Sequence, residues 1–374
     1  MKTRPATFRL SLGLLALGLT VQTSLHAEPA ATGDGFALPQ PGHSFEFPRD
    51  HGSHPEFKIE WWYVTGHLFA DGGRRFGFQA TFFRHAGPRV PGAAAATGSD
   101  PIFLAHMAVL DVQTGKFLHQ ERLNRAGWNA DAARDTLDVF NGNWSLRLVD
   151  AAANRFELTG GVRAEAGFQL DLTSTKPLVV FGENGVSRKG ADAAASSYYL
   201  TFSRLRADGK FSVGTEQLHV TGEAWMDHEI SSSQLGGGQV GWDWLSVQFN
   251  DRRELMLYRL RRRDGTADPA SSLTWVDAAG GTHSAPFTWE VLDRWQSPAT
   301  SASYPSKILL TATDPVTLIP VKLTIEPLAK DQELAGSAGG TPYWEGACRV
   351  RDATGREVGS AYLELTGYAR DLKL

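Results

Sequence analysis

No stretch of this chain keeps a helical period for long, whereas short runs rich in β-branched and aromatic residues recur along most of its length. In the first half they fall at 57–69, 76–84, 102–111, 144–148, 156–159, 168–173, 198–205 and 218–225. In the second half they fall at 273–276, 287–295, 307–311, 317–326, 343–351 and 359–368. Between them lie Asp71-Gly72-Gly73, Thr114-Gly115, Asn141-Gly142, Gly160-Gly161 and Asp208-Gly209, the residues that make tight antiparallel turns. Many short strands without crossover helices predict an all-β chain of barrels or sandwiches and exclude a doubly wound α/β fold.

The chain also echoes itself. EWWYVTGHLFADGGRRFGFQATFFR from Glu60 and GWDWLSVQFNDRRELMLYRLR from Gly241 align Trp61 with Trp242, Tyr63 with Trp244, Thr65 with Ser246 and His67 with Gln248. Both segments then pass a polar turn, holding Asp71 and Arg75 or Asp251 and Arg253, into a second apolar strand. Shared aromatic composition would explain the tryptophans; the matching order of polar positions points to a duplicated β domain. A joint at Ser231–Gln239, which holds Gly236, Gly237 and Gly238, divides the chain into a leader at 28–45, a first domain at 46–232 and a second at 233–374. Residues 88–100, with alanines at 93–96, read as a flexible excursion between strands.

Candidate chemistry gathers at 222–248, GEAWMDHEISSSQLGGGQVGWDWLSVQ. Strand alternation puts Trp225, Asp227 and Glu229 on one face and Met226, His228 and Ile230 on the other. Trp242, Trp244, Ser246 and Gln248 likewise share a face, opposite Leu245, Val247 and Phe249, with Asp243 between the tryptophans. Burying a polar group without a partner costs about 2–7 kcal/mol, so these groups either satisfy one another or face a cavity. Asp227, His228 and Glu229 are the candidate acid–base groups, with Asp227 and His228 as the working pair, unless the run is a hydrogen-bonded plug between domains. Glu60, Trp62, Tyr63, His106, Trp225, Trp242, Asp243, Trp244, Gln248 and Tyr258 are candidate ligand-binding residues. Glu60 is either an acid poised for protonation or a strand-end residue paired with an arginine. His106 is a core histidine unless it shares a cavity with Glu60 or Tyr63.

Other classes are disfavoured. The net charge of −4 comes with no basic tract, which argues against nucleic acid as a partner. Cys348 is the single cysteine, so neither an internal disulfide nor a paired-cysteine zinc site is available. His51, His54 and Glu56 lie close together, but Pro55 breaks the helix a histidine-pair metal motif needs, so no metal is expected. There is no G-x-S-x-G elbow and no phosphate-binding or dinucleotide glycine fingerprint, and no cofactor is expected. Residues 1–27 carry Lys2, Arg4 and Arg9, then an apolar run, then His26-Ala27, the layout of a cleaved signal sequence. A secreted, periplasmic protein is expected.

Together, EWWYVTGHL at 60–68, the 222–248 segment and YWEGACRV at 343–350 resemble the secreted AttH-like family, the relatives of carotenoid 1,2-hydratase (hydroxyneurosporene synthase). The resemblance spans about residues 45–368. It implies two consecutive lipocalin-like (calycin) antiparallel β-barrel domains. It further implies a hydrophobic small-molecule ligand such as an isoprenoid, polyene or lipid. The role implied is a hydratase or hydrolase, or else a non-catalytic carrier associated with an ABC-type membrane transporter. Carotenoid hydratases place an acid just beyond the tyrosine of the strand after W-x-W, whereas Tyr258 here is followed by Arg259 and Leu260.

Overall fold

The computed structural model describes residues 1, 31–89, 100–336 and 340–372. The expected signal sequence, Met1 apart, and most of the 88–100 excursion lie outside the described residues. Among the described residues there is no α-helix, only two short 3-10 turns at Arg49–His51 and Asp71–Gly73. Everything else regular is antiparallel strand.

The first sheet comprises β1 (Ile59–Ala70), β2 (Arg75–His85), β3 (Ile102–Asp111), β4 (Lys116–Arg125), β5 (Ala130–Ala132), β6 (Asp138–Asn141) and β7 (Trp144–Asp150). It continues with β8 (Arg155–Val162), β9 (Ala166–Ser174), β10 (Val179–Phe181), β11 (Ser187–Arg188), β12 (Ser196–Val213) and β13 (Glu216–Ser233). The second comprises β14 (Gln239–Phe249), β15 (Glu254–Arg262), β16 (Ser272–Val276), β17 (Thr282–Ser284) and β18 (Phe287–Gln296). Its remaining strands are β19 (Ser303–Thr313), β20 (Pro320–Pro327), β21 (Glu333–Leu334), β22 (Tyr343–Arg351) and β23 (Glu357–Thr366).

Strand order in the first sheet is β4-β3-β2-β1-β13-β12-β9-β8-β7-β6-β5, with β10 and β11 also on β12. Its ends approach each other, β3 and β4 packing against β6 and β8, so the sheet curls into a nearly closed barrel. Order in the second is β17-β16-β15-β14-β23-β22-β20-β19-β18, with β21 on β22, an open half-barrel. This is the two-barrel, lipocalin-like architecture expected. Each barrel is filled by its own side chains, Trp62, Phe78, Phe156 and Leu205 among those of the first and Leu245, Leu257, Ile308 and Leu363 among those of the second. At about 25 cal/mol per Å² of apolar surface removed from water, such interiors supply most of the folding drive without a disulfide.

Two expected turns are not turns. Asp208-Gly209 sits inside β12, opposite Thr221 and Val220. Gly209 is required there because a Cβ would run into the Gln169 carbonyl oxygen of β9. Gly160-Gly161 lies inside β8, where a Cβ on Gly160 would collide with the Phe168 ring. Conversely β4, KFLHQERLNR, carries no apolar alternation because much of it faces water, and the sequence pattern does not reveal it.

The two halves of the echo, β1–β2 and β14–β15, occupy corresponding places in their sheets. β1 lies between β2 and β13, and β14 lies between β15 and β23. Their outer faces pack against each other in a third apolar cluster that mixes Tyr63, Tyr199 and Trp225 with Trp244, Tyr258 and Tyr362. His67 and Gln248, aligned in the echo, both cross this junction. His67 Nε2 donates to the Ala361 carbonyl at 3.0 Å, and Gln248 Nε2 donates to the carbonyls of Ala224 and Ser203 at 3.0 and 2.8 Å. Lys176 and Arg204 of the first half also converge on buried Glu254 of β15, at 2.5 and 2.7 Å.

Candidate functional site

Between the sheets lies a cavity of about 410 Å³, within the range of about 300–1,000 Å³ usual for small-molecule sites. It is not the interior of either barrel. The first sheet contributes Trp61, Tyr63, Gln79, His106, Tyr199, Asp227 and Glu229 to its wall; the second contributes Trp242, Trp244, Tyr258, Tyr343, Glu345 and Glu364. Alternation explains the set, because on each strand the outward positions reach the cavity and the inward ones fill a barrel.

Asp227 is fully buried and accepts three hydrogen bonds: from Thr201 Oγ1 at 2.5 Å, Trp225 Nε1 at 2.7 Å and Tyr199 Oη at 2.8 Å. Burial nevertheless outweighs these donors and lifts its pKa to about 7. Tyr199 Oη in turn accepts from Trp244 Nε1 at 2.8 Å, so a tryptophan of one sheet orients a tyrosine–carboxyl pair of the other.

Across the cavity Glu345 Oε1 accepts from Tyr63 Oη at 2.7 Å, while Glu345 Oε2 is buried without a partner. Its cross-strand neighbour is Glu364, whose carboxyl accepts from Trp242 Nε1 at 3.1 Å. Burial, and after it the nearby Glu364 charge, pushes the Glu345 carboxyl well above the carboxylate range; burial lifts Glu364 to about 7. Near neutral pH this wall therefore carries carboxylic acid. Glu229 is held as a pair with Lys189 at 3.3 Å and by Ser197 Oγ at 2.6 Å. Lys189 also lies over the rings of Tyr199 and Tyr258, 4.7 and 4.3 Å from their centroids.

The structure corrects the pairing of Asp227 with His228. β13 is regularly paired with β1 through this run, Tyr63 opposite Asp227 and Trp62 opposite His228, so no bulge brings the two to one side. His228 points into the end of the first barrel, stacked on Trp62 with centroids 4.9 Å apart, and donates from Nε2 to Glu60 Oε1 at 2.9 Å. Glu60, Trp62 and His228 thus lie away from the cavity. Glu60 also receives Arg84 Nε at 2.9 Å, Ser53 Oγ at 3.1 Å and His54 Nδ1 at 2.9 Å, and His54 Nε2 meets Asp50 at 3.2 Å. The arginine-paired alternative for Glu60 is the one observed.

His54, Glu60 and His228 place one ligand atom each within 4.8 Å of one another, the metal-compatible group among the described residues. Their contacts are those of a charge hub: Glu60 Oε1 serves both imidazoles and Oε2 serves Arg84.

Three further candidates are displaced. Asp243 faces the second barrel's end, bonded to Arg259 at 3.0 Å, Arg261 at 2.9 Å and Tyr368 at 2.9 Å. Gln248 is spent on the backbone carbonyls described above, and Trp225 stands behind Asp227 as its donor. Tyr63, His106, Asp227, Glu229, Trp242, Trp244 and Tyr258 do line the cavity. The sequence reading missed Trp61, Gln79, Tyr199, Tyr343, Glu364 and the cavity role of Glu345. For Trp61 the signal was present, since alternation from Tyr63 selects it over Trp62. For Glu345 and Glu364 it was absent, because cross-strand adjacency is set by register.

The AttH-like family model matches residues 38–368. A crystal structure of an AttH protein from Nitrosomonas europaea is 34% identical, with a TM-score of 0.79, and the match covers 90% of this chain and 100% of that one. Kievitone hydratase from Nectria haematococca shares the fold at 13% identity and a TM-score of 0.66, over 92% of this chain and 97% of that one. CghA, solved with Sch210972, shares it at 11% identity and a TM-score of 0.53, over 91% and 98%. A search of curated protein sequences returned no match. With the family model spanning both sheets and the cavity between them, the chain belongs to the AttH-like family.

Proposed function

We propose that the cavity between the sheets is an active site that adds water to, or removes it from, an unsaturated, largely apolar small molecule. The observation that carries this reading is Glu345: a carboxyl kept protonated by burial, with one oxygen unpartnered, in an aromatic-walled cavity that also holds Asp227 on the other sheet. A neutral carboxylic acid in an apolar site is a proton donor awaiting an acceptor. Kievitone hydratase, which shares the fold, is by its name a hydratase.

In the hydration direction the Glu345 O–H bond breaks and its proton forms a C–H bond with the electron pair of a carbon–carbon double bond. The resulting cation lies among Trp61, Trp242 and Trp244, whose ring faces stabilise positive charge. Water attacks the cation and gives its proton to Asp227 Oδ2, which accepts a single hydrogen bond, from Tyr199. Return of that proton to Glu345 through solvent resets the site, so the net change is one water added. Dehydration is the reverse.

The test is incubation with a panel of unsaturated terpenoid and phenolic compounds in ¹⁸O-labelled water, read by mass spectrometry. A product bearing one labelled water, made by the wild type and lost in Glu345→Gln and Asp227→Asn, supports the proposal. Stoichiometric binding with no labelled product from any compound replaces it with a carrier.

A further inference from the structure

One end of the cavity carries more unpartnered polarity than an apolar ligand would leave buried. Gln79 and His106, both almost completely buried, each have a polar atom without a hydrogen-bond partner, Gln79 Oε1 and His106 Nε2. Leaving such buried atoms unsatisfied is costly, so two on one wall call for a complementary group.

Their donor and acceptor characters follow from the bonds they do make. Both amide hydrogens of Gln79 are committed, to Thr81 Oγ1 at 2.7 Å and Tyr343 Oη at 3.1 Å, which fixes the side chain and leaves its carbonyl oxygen as a bare acceptor. Tyr343 Oη accepts from Gln79, and its own proton finds an acceptor in His106 Nδ1, 2.7 Å away. Nδ1 is then the acceptor, and the neutral ring carries its hydrogen on Nε2, a bare donor. Burial keeps the ring neutral, its pKa falling to about 3. One hydroxyl on Tyr343 thus holds both side chains, and together they place one bare donor and one bare acceptor among the residues of the cavity wall.

A hydroxyl group matches that pair, since its oxygen accepts from His106 Nε2 while its hydrogen goes to Gln79 Oε1. A carbonyl would satisfy the donor alone, and a hydrocarbon neither. We propose that Gln79 and His106 form a hydroxyl-recognition subsite, so that the substrate class is an unsaturated alcohol or phenol with one oxygenated end, not a hydrocarbon polyene. This rests on the reading of the cavity as a small-molecule site. It deepens that reading by giving the substrate a polarity and an orientation: oxygenated end at Gln79 and His106, apolar body against Trp61, Trp242 and Trp244.

The experiment compares two probes of the same carbon skeleton, geraniol and its deoxy hydrocarbon 2,6-dimethyl-2,6-octadiene. Binding to the full chain is followed by quenching of tryptophan fluorescence. The expected result is about 10-fold or more tighter binding of the alcohol to the wild type, with the preference falling to about 2-fold or less in Gln79→Leu and His106→Phe. Equal affinities in the wild type overturn the subsite while leaving the cavity reading in place, and this comparison needs no variant to fold. A preference that persists in both variants, shown folded by circular dichroism, also overturns it. Binding of neither probe, nor of a larger terpenoid alcohol, overturns the cavity reading and the subsite with it.

Discussion

Tyr63 donates its phenolic hydrogen to Glu345 across the junction of the two sheets, at 2.7 Å and 282 positions apart in the chain. Trp244, aligned with Tyr63 in the internal echo, makes the reciprocal crossing by donating to Tyr199 of the first sheet at 2.8 Å. Each half of the echo therefore sends one aromatic donor to organise an acid system on the other sheet.

Removing the donor should be measurable in stability. Tyr63→Phe leaves Glu345 Oε1 unsatisfied beside an already unpartnered Oε2. Urea unfolding should show a loss of about 1–3 kcal/mol. An unchanged midpoint would mean that the bond contributes nothing to holding the sheets together.

Chemistry and architecture should separate by position. Glu345→Gln removes the proton donor and should lower turnover of a labelled-water substrate by about 10²–10⁴ with the fold intact by circular dichroism. Glu60→Gln, in the hub away from the cavity, should instead destabilise by about 3–5 kcal/mol, because Arg84 loses its buried counter-charge. Its turnover per folded molecule should hold. The reverse pattern would move the active site to the end of the first barrel.

The raised carboxyls predict a pH dependence with a defined sign. Asp227 and Glu364, lifted to about 7 by burial, hold protons in the folded state that the unfolded chain gives up above about pH 4. Their contribution to stability therefore declines as pH rises from about 4 to about 7, by at most about 1.4 kcal/mol per pH unit for each group, and levels off above. Urea midpoints taken across this window should fall for the wild type and flatten for the Asp227→Asn, Glu364→Gln double variant. Turnover should rise as Asp227 ionises near pH 7 and fall where Glu345 loses its proton, giving a bell-shaped profile.

Close approach of the sheets gives a packing prediction. A Cβ on Gly77 of β2 would stand 2.6 Å from the Ala347 Cβ of β22, well inside van der Waals contact. Gly77→Ala should destabilise by about 1–3 kcal/mol through overpacking. Adding Ala347→Gly should recover a large part of that loss, and a thermal-melt double-mutant cycle would measure the coupling.

Local chemistry made much of this molecule legible. Strand-length alternation and turn residues specify the all-β fold, and the echo of Trp61 and Tyr63 in Trp242 and Trp244 identifies the two strands that face each other. The same alternation separates Asp227 from His228 on β13, because neighbouring side chains on a strand leave on opposite faces.

What tertiary structure alone decides is which residues meet. Glu345 becomes a cavity acid because the pairing of β22 with β23 sets it beside Glu364, and because packing of the sheets brings Tyr63 to it. His228 becomes part of a hub because the segment before β1 folds His54 and Asp50 over the barrel end. A chain's periodicity fixes the face a side chain leaves from; register and sheet packing fix what that face touches, and burial then sets whether a carboxyl there keeps its proton.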